Sequence, residues 1–312
     1  MPTLDRITIY PVKSLDGVEV DEARVLPSGG LENDRRWQLM DMDGRVMNAK
    51  RSPLFHAIRA VFDLADEATR AAVPGAANQV ALAVDPEALR AAAVPGVERL
   101  ASLAAETFPL VPGPDGPCDW LAEALGERLL LLERRDGGFP DDREAPGPTL
   151  VATASLEDVG RWFGLGLAEA RRRFRANLEV GGCDAFWEDS LASPARPGPH
   201  PSLLDLPPDV AADPYADLPV PESREFTVGP ARFRATNVCR RCVVPSRDSR
   251  TGAVTTHFRD VFEAWRRRGL RPDVDASAWG SLYRLGLNTG SGAVATVTIA
   301  DPVAVVPAAG AT

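Results

Sequence analysis

The sequence predicts a mostly β, α+β fold built from two closely packed units, over residues 1–114 and 115–312. Three observations carry that expectation. Short apolar runs alternate with turn residues through most of the first unit, the rhythm of half-buried strands. Asp43-Gly44 stands between two such runs and is a tight-hairpin signal. Helical spacing occurs only in short stretches, and 312 residues exceed the usual size of one domain.

Taken in order, strands are expected at 6–10, at 18–25, and at 37–41 and 45–48 on either side of the Asp43-Gly44 turn, then at 58–64 and 79–84. A short helix is expected around 119–125, and the leucine run within 128–133 reads as a buried strand. Residues 137–147, rich in Gly, Pro and acidic side chains, read as a loop. Ser155 and Asp158 fit a capping box ahead of Val159, and a second helix follows at 167–173. Strand returns at 174–180. The proline-crowded segment 192–221 reads as an irregular surface loop, a lid or a partner contact. A strand at 225–236 leads into Cys239-Arg-Arg-Cys242, a helix follows at 258–268, and strands close the chain over 292–306.

The formal net charge of −9, with no long basic run, argues against non-specific binding to nucleic acid or to an anionic membrane. The opening residues lack the apolar core of a secretory signal, and no run reaches the ~18 apolar residues that a membrane span needs. The expected location is therefore cytoplasmic. Four cysteines in a chain of this length do not read as a secreted disulfide framework.

The sharpest chemical feature is Cys239-Arg-Arg-Cys242 at the end of a strand. Neighbouring arginines favour the thiolate form that ligates metals. A C-x-x-C pair by itself also fits structural zinc or a thioredoxin-like redox pair. Zinc needs four ligands, and the chain has no second cysteine pair and only the scattered His56, His200 and His257. The redox reading expects the pair to open directly into a helix, whereas Pro245-Ser-Arg-Asp248 follows here.

Several segments in fixed order resemble one family: Tyr10-Pro-Val-Lys13-Ser14, Asn33-Asp34-Arg35-Arg36-Trp37, Ala154-Ser-Leu, Phe174-Arg175-Ala-Asn177, Gly182-Cys183-Asp184 through Ser190, Cys239-Arg-Arg-Cys242, and Asp248-Ser-Arg-Thr251-Gly252. Together they make the chain similar to MOSC-domain proteins with a preceding N-terminal β-barrel domain, the architecture of the mitochondrial amidoxime-reducing component and its bacterial relatives. The resemblance implies a MOSC β-barrel packed with an N-terminal β-rich domain, and a molybdenum cofactor (Mo-molybdopterin) whose metal is ligated by the Cys242 thiolate. A soft sulfur suits a metal already held by a dithiolene. Cys239 would be a neighbour rather than a ligand.

By the same resemblance Lys13, Arg35 and Arg175 hold the phosphate or nucleotide diphosphate at the cofactor's far end, because a guanidinium can grip phosphate bidentately and a lysine adds a point charge. Asn177 assists with pterin or phosphate contacts. Cys183 reads as a small buried residue, Ser155 as a helix cap, and Glu188 and Asp189 as groups that either hydrogen-bond a substrate or orient the basic site. Ala176 stands where the family carries proline, and Arg240 where some relatives carry a small polar residue.

The implied reaction is two-electron reduction of an N-hydroxylated small molecule by removal of its oxygen atom. The sequence shows no dinucleotide fingerprint and no four-cysteine iron–sulfur set, so a separate ferredoxin-like or cytochrome-like electron donor is expected. The alternative is a carrier that holds sulfur or the molybdenum cofactor through the same cysteine and turns nothing over.

Overall fold

The structure, a computed structural model, describes residues 1–65, 78–192, 224–291 and 293–307. Its strands are β1 (Thr3–Ile9), β2 (Val18–Val20), β3 (Glu22–Val25), β4 (Trp37–Asp41), β5 (Val46–Met47), β6 (Ile58–Asp63), β7 (Gln79–Val84), β8 (Glu106–Pro109), β9 (Leu129–Glu133), β10 (Leu150–Ala152), β11 (Leu178–Gly181), β12 (Glu225–Val228), β13 (Ala231–Arg240), β14 (Arg284–Ser291), β15 (Ala295–Thr298) and β16 (Val303–Val305). The α-helices are short: α1 (Pro86–Ala91), α2 (Cys118–Leu125), α3 (Thr153–Phe163), α4 (Leu167–Phe174) and α5 (Phe258–Arg268). The mostly β, α+β expectation is what the structure shows.

One sheet of eight strands runs in the order β16-β12-β13-β14-β10-β11-β1-β2. Pairing is antiparallel except for β10 with β11, which α3 and α4 connect, as parallel neighbours require a crossover. Among the described residues no continuous ladder closes this sheet into a barrel. The chain's two ends do meet through an isolated bridge, Thr3 to Pro302, where Leu4 N donates to Asp301 O and Val303 N to Pro2 O. Under this sheet lies one core, with Leu4, Ile7, Phe226, Phe233 and Leu287 all buried.

A second core belongs to two three-stranded sheets, β5-β4-β9 and β6-β7-β8, and is built on Trp37, Leu39, Phe55, Ile58, Leu82 and Leu121. The Asp43-Gly44 hairpin is present: Leu39 pairs with Met47, Gly44 takes φ 81°, and Asp41 Oδ1 accepts from the amides of Asp43 and Arg45. The leucine run behaves differently from its expected full burial. Leu129 and Leu131 face the core, while Leu130 is 46% exposed, because the strand has only one covered face.

Other boundaries also moved. The run at 18–25 breaks at Asp21, and its halves enter different sheets, β2 beside β1 and β3 beside β15. The run at 225–236 is a hairpin, turned at Gly229-Pro230 with Gly229 at φ 52°, since proline cannot donate to a central ladder. The strand expected from 174 begins only at Leu178, because Phe174 ends α4 and Arg175 caps it in the left-handed region. Ser155 lies inside α3, whose N-cap is Ala152, so it is not the cap expected of it. The segment proposed as a lid falls, beyond Ala192, outside the described residues.

Candidate functional site

A cavity of about 2550 Å³ opens where the two cores meet. Tyr10, Lys13 and Arg35 line it from the N-terminal segments, Arg175 from the end of α4, and Cys239 and Cys242 from the end of β13. Four of the five residues singled out for a cofactor therefore share one chamber.

The cysteines arrive there through irregular backbone. β13 loses register against β14 twice, between Ala235 and Asn237 and between Val238 and Arg240, and bulges of this kind re-aim a strand's end. Arg241 turns back to donate to Cys239 Sγ at 3.1 Å and to the Phe174 carbonyl, and its guanidinium lies 5.2 Å from the Phe174 ring. Both cysteines are half-buried and free. Beside them Tyr283 is 5% exposed, and its hydroxyl has no hydrogen-bond partner. Burial pushes that phenol's pKa up, and charge on the Cys242 sulfur pushes the same way.

Beyond Cys242 the segment Asp248–Gly252 is a clasp between the two cores rather than part of the chamber's chemistry. Asp248 Oδ1 accepts from the amides of Arg250 and Thr251, which holds the turn. Gly252 needs its φ of 72°, and a Cβ there would meet Val94 at 2.5 Å. From this clasp Arg250 pairs with the fully buried Asp85 at 2.9 Å, Arg247 donates to Ala49 O, and Arg59 reaches the Ser249 carbonyl. The arrangement fixes the loop after Cys242 to the N-terminal segments that carry Lys13 and Arg35.

The basic residues divide by their partners. Lys13 Nζ lies 2.9 Å from Asp141, and Arg35 contacts Asp34, Asp141 (3.5 Å) and Asn177 Oδ1 (3.1 Å). Burial alone would lower the Arg35 pKa, but the charges of Asp34 and Asp141 outweigh it and raise it. Burial likewise opposes ionisation of Asp141, and Lys13 and Arg35 override it, holding the carboxyl well below its usual range. The Asp141 side chain is nevertheless 58% exposed, so solvent screens these pairs.

Asn177 is 1% exposed and saturated. Its amide donates to Thr8 O and Asp34 Oδ1, and its oxygen accepts from Thr149 N and Arg35 Nη1. It reaches the chamber through Arg35. Arg175 differs from both neighbours. Among the described residues no carboxylate lies within ion-pair distance of it, and it rests on the Tyr10 ring, whose centroid is 4.1 Å from the guanidinium carbon. Burial lowers its pKa, and repulsion from Arg35 adds to that. Ser14, Arg35 and Arg175 all hold positive φ, at 78°, 47° and 52°. Non-glycine residues in this region are uncommon, although for Arg175 the conformation is that of a helix C-cap.

Several expected residues stand elsewhere. Glu188 and Asp189 are 0% and 1% exposed and are not on the cavity wall. Glu188 accepts from Ser155 Oγ at 2.9 Å, and Asp189 pairs with the equally buried Arg266. Burial raises the Glu188 pKa, and the Asp189 charge raises it further. Ser155 also accepts from Phe186 N, so it ties α3 to the Trp187–Leu191 turn. Cys183 is half-buried, and burial pushes its thiol up to about 11. Sequence reasoning missed Tyr10, Asp34, His56 and Asp141. The first two sit inside segments already recognised; the other two carried no sequence signal. Among the described residues no group of three or more His, Cys, Asp or Glu could hold a metal ion, and no helix is long and apolar enough to cross a membrane.

Residues 1–128 match the family of the MOSC N-terminal beta barrel domain. Molybdenum cofactor sulfurase of Drosophila yakuba is 27% identical over 195 residues, 60% of this chain and 24% of that protein. The protein of the same name from Danio rerio is 23% identical over 255 residues, 81% of this chain and 29% of its own length. The chain thus spans about a quarter of the length of the curated relatives it matches. The crystal structure of the YUAD protein from Bacillus subtilis aligns over 98% of this chain and 96% of its own, at 11% identity and a TM-score of 0.34, a likeness on which nothing further rests. The matches tie the chain to molybdenum-cofactor proteins.

Proposed function

We propose that this chain holds a molybdenum cofactor in the chamber and uses it to reduce N-hydroxylated small molecules. The single observation behind the reading is that the Cys242 thiol and the cations Lys13, Arg35 and Arg175 line one cavity. The residues suit such a group. Arg175 is a partly buried cation with no carboxylate partner among the described residues, and the chamber offers the Cys239 and Cys242 thiols rather than a full ligand set, as fits a metal that brings its own dithiolene.

In this reading Cys242 supplies the thiolate, Arg175 and Lys13 take the cofactor's phosphate end, and Asn177 keeps Arg35 aimed at the same end. When bound, the cofactor supplies the two-electron oxygen-atom chemistry. The balance is R–NH–OH plus two electrons and two protons giving R–NH2 and water, with the electrons arriving from a separate ferredoxin-like or cytochrome-like protein. The chain's own part is to orient the substrate and to exclude bulk water.

The second reading is a carrier that holds sulfur or the cofactor without turnover, and what favours it is that the matched relatives are named as molybdenum cofactor sulfurases. Purification from a cofactor-competent host, followed by metal and pterin analysis, tests the shared part. Cys242→Ala should keep less than about a tenth of the wild-type molybdenum while Cys239→Ala keeps most of it; equal retention in the two variants refutes the ligand assignment. A dye-coupled assay over N-hydroxylated compounds then separates reductase from carrier.

A further inference from the structure

Glu188 and Asp189 stand away from the chamber, and the proposed cofactor chemistry does not use them. They are 0% and 1% exposed, and Arg266 of α5, packed against them, is 0% exposed as well. Their contacts join three elements. Ser155 Oγ of α3 donates to Glu188 Oε2 at 2.9 Å and accepts from Phe186 N at 2.6 Å, while Arg266 Nη2 donates to Asp189 Oδ2 at 2.5 Å. The Arg266 guanidinium carbon lies 4.0 Å from the centre of the Phe186 ring and 5.7 Å from that of Trp279, so aromatic rings flank the ion pair. Glu188 Oε1, Asp189 Oδ1 and two nitrogens of Arg266 have no partner.

Among the described residues the surroundings bring no second cation to the cluster. Arg271 is answered by Asp273 at 3.0 Å, and Arg224 donates to the Ser190 carbonyl at 2.8 Å. Cys183 is a thiol that burial pushes up to about 11, and the other charges acting on it, Asp5 and Asp184, are acids. Two carboxyl groups therefore face one guanidinium in a dry pocket. With both ionised the cluster would hold an uncompensated buried negative charge, its least favourable state. Asp189 keeps the direct contact with Arg266, so the neutralising proton falls to Glu188.

We propose that Glu188, Asp189 and Arg266 form a proton-linked latch: the Trp187–Leu191 turn closes on α3 and α5 with one proton held by Glu188, and opens as that proton leaves for solvent. Burial, and then the Asp189 charge, raise the Glu188 pKa to about 8, in keeping with that placement. The closed turn binds the proton more tightly than the open one. Its advantage is therefore fully present below the ordinary carboxylate range and is lost as pH rises to about 8. The turn is also connected to the chamber wall. Phe186 stacks on Trp162 at 5.6 Å, Trp162 meets Phe262 at 5.4 Å, and Phe262 meets Tyr283 at 5.1 Å, the phenol beside Cys242. Opening the turn withdraws Phe186 from the core that backs Tyr283. The latch needs no ligand and stands independently of the cofactor reading.

Amide hydrogen exchange on the full chain reads the latch directly. Protection factors across the Trp187–Leu191 turn should fall about tenfold per pH unit from about pH 5 to about pH 8, the slope for one released proton, and level off above that. Glu188→Gln keeps an acceptor for Ser155 and cannot ionise, so its protection factors should stay level over the same range. Infrared spectroscopy of the wild type gives a reading that does not depend on how a variant folds. At about pH 6, where exposed carboxyl groups are ionised, the carbonyl stretch of one protonated carboxyl should be present, and it should be missing from Glu188→Gln. A wild-type spectrum without that stretch, or a fall in turn protection that Glu188→Gln shares, overturns the latch. Molybdenum retention by Cys242→Ala is read without reference to Glu188, so the two proposals fail separately.

Discussion

The two flanks of the chamber use the same side-chain chemistry in opposite ways. On one flank Lys13 and Arg35 are answered by Asp141 and Asp34, and Asn177 makes four hydrogen bonds that hold Arg35 in place. On the other, Arg175 shares the Tyr10 ring with Arg35, at 4.1 and 5.6 Å, but no carboxylate lies within ion-pair distance of it among the described residues. A guanidinium that already has its acids is part of the scaffold, and its contribution to ligand binding is partly cancelled in advance. One left over an aromatic ring keeps its donors for a guest. Ligand affinity should therefore depend more on the second flank, although both were identified from matching motifs.

The largest effect that tests this contrast is expected from Arg175→Gln. A charge-assisted hydrogen bond is worth about 1.5–3 kcal/mol, so retention of an anionic ligand should weaken roughly ten- to hundredfold. The fold should be little affected, since among the described residues Arg175 makes no ion pair that is lost. Titration of the purified variant alongside Lys13→Met decides the point. A larger loss from Lys13→Met than from Arg175→Gln would reverse the assignment of the two flanks.

How much of this was legible in the sequence follows the same division. Residues identified by type and motif, Cys242, Lys13, Arg35 and Arg175, all reach the chamber. Local periodicity placed the Asp43-Gly44 hairpin and helices near α2, α4 and α5. It failed for β14, which crosses the middle of the large sheet but carries Gly286, Asn288 and Gly290, residues of low strand propensity. It also ran over Gly229-Pro230, where alternation continues through a turn. His56 and Asp141 were invisible for another reason. A histidine after phenylalanine and an aspartate in an acidic Gly/Pro loop become significant only when residues more than a hundred positions away are brought against them, as Gly252 is to His56 and Lys13 to Asp141.

A smaller effect on ligand, but a clear one on stability, is expected from Asn177→Ala. Its removal takes the side-chain partners of Thr8 O and Thr149 N at a site that is 1% exposed, while Asp34 Oδ1 keeps Tyr10 N and Arg35 Nη1 keeps Asp34. Leaving buried polar groups unpaired costs about 1–3 kcal/mol, visible as a lower denaturation midpoint. Ligand retention should fall less than in Arg175→Gln, because Arg35 loses its alignment and not its charge. If Asn177→Ala matched Arg175→Gln in retention while keeping wild-type stability, its amide would have to touch the ligand itself.

The smallest expected effect has the opposite sign. Asp141→Asn removes the carboxylate that Lys13 and Arg35 share, freeing Lys13 toward the chamber while Arg35 keeps Asp34. Exposed ion pairs are worth only ~0.2–1 kcal/mol, so anion affinity should increase about two- to fivefold. The pH dependence has a defined direction. Asp141 has a depressed pKa in the folded chain, so its stabilising contribution is present above the ordinary carboxylate range and is lost as pH falls through and below it. The variant should therefore lose less stability than the wild type on acidification, and its gain in anion affinity should shrink at high salt. A weaker anion affinity in Asp141→Asn would mean that this carboxylate orders Lys13 and Arg35 for the ligand instead of competing with it, and the first flank would then be a prepared binding surface like the second.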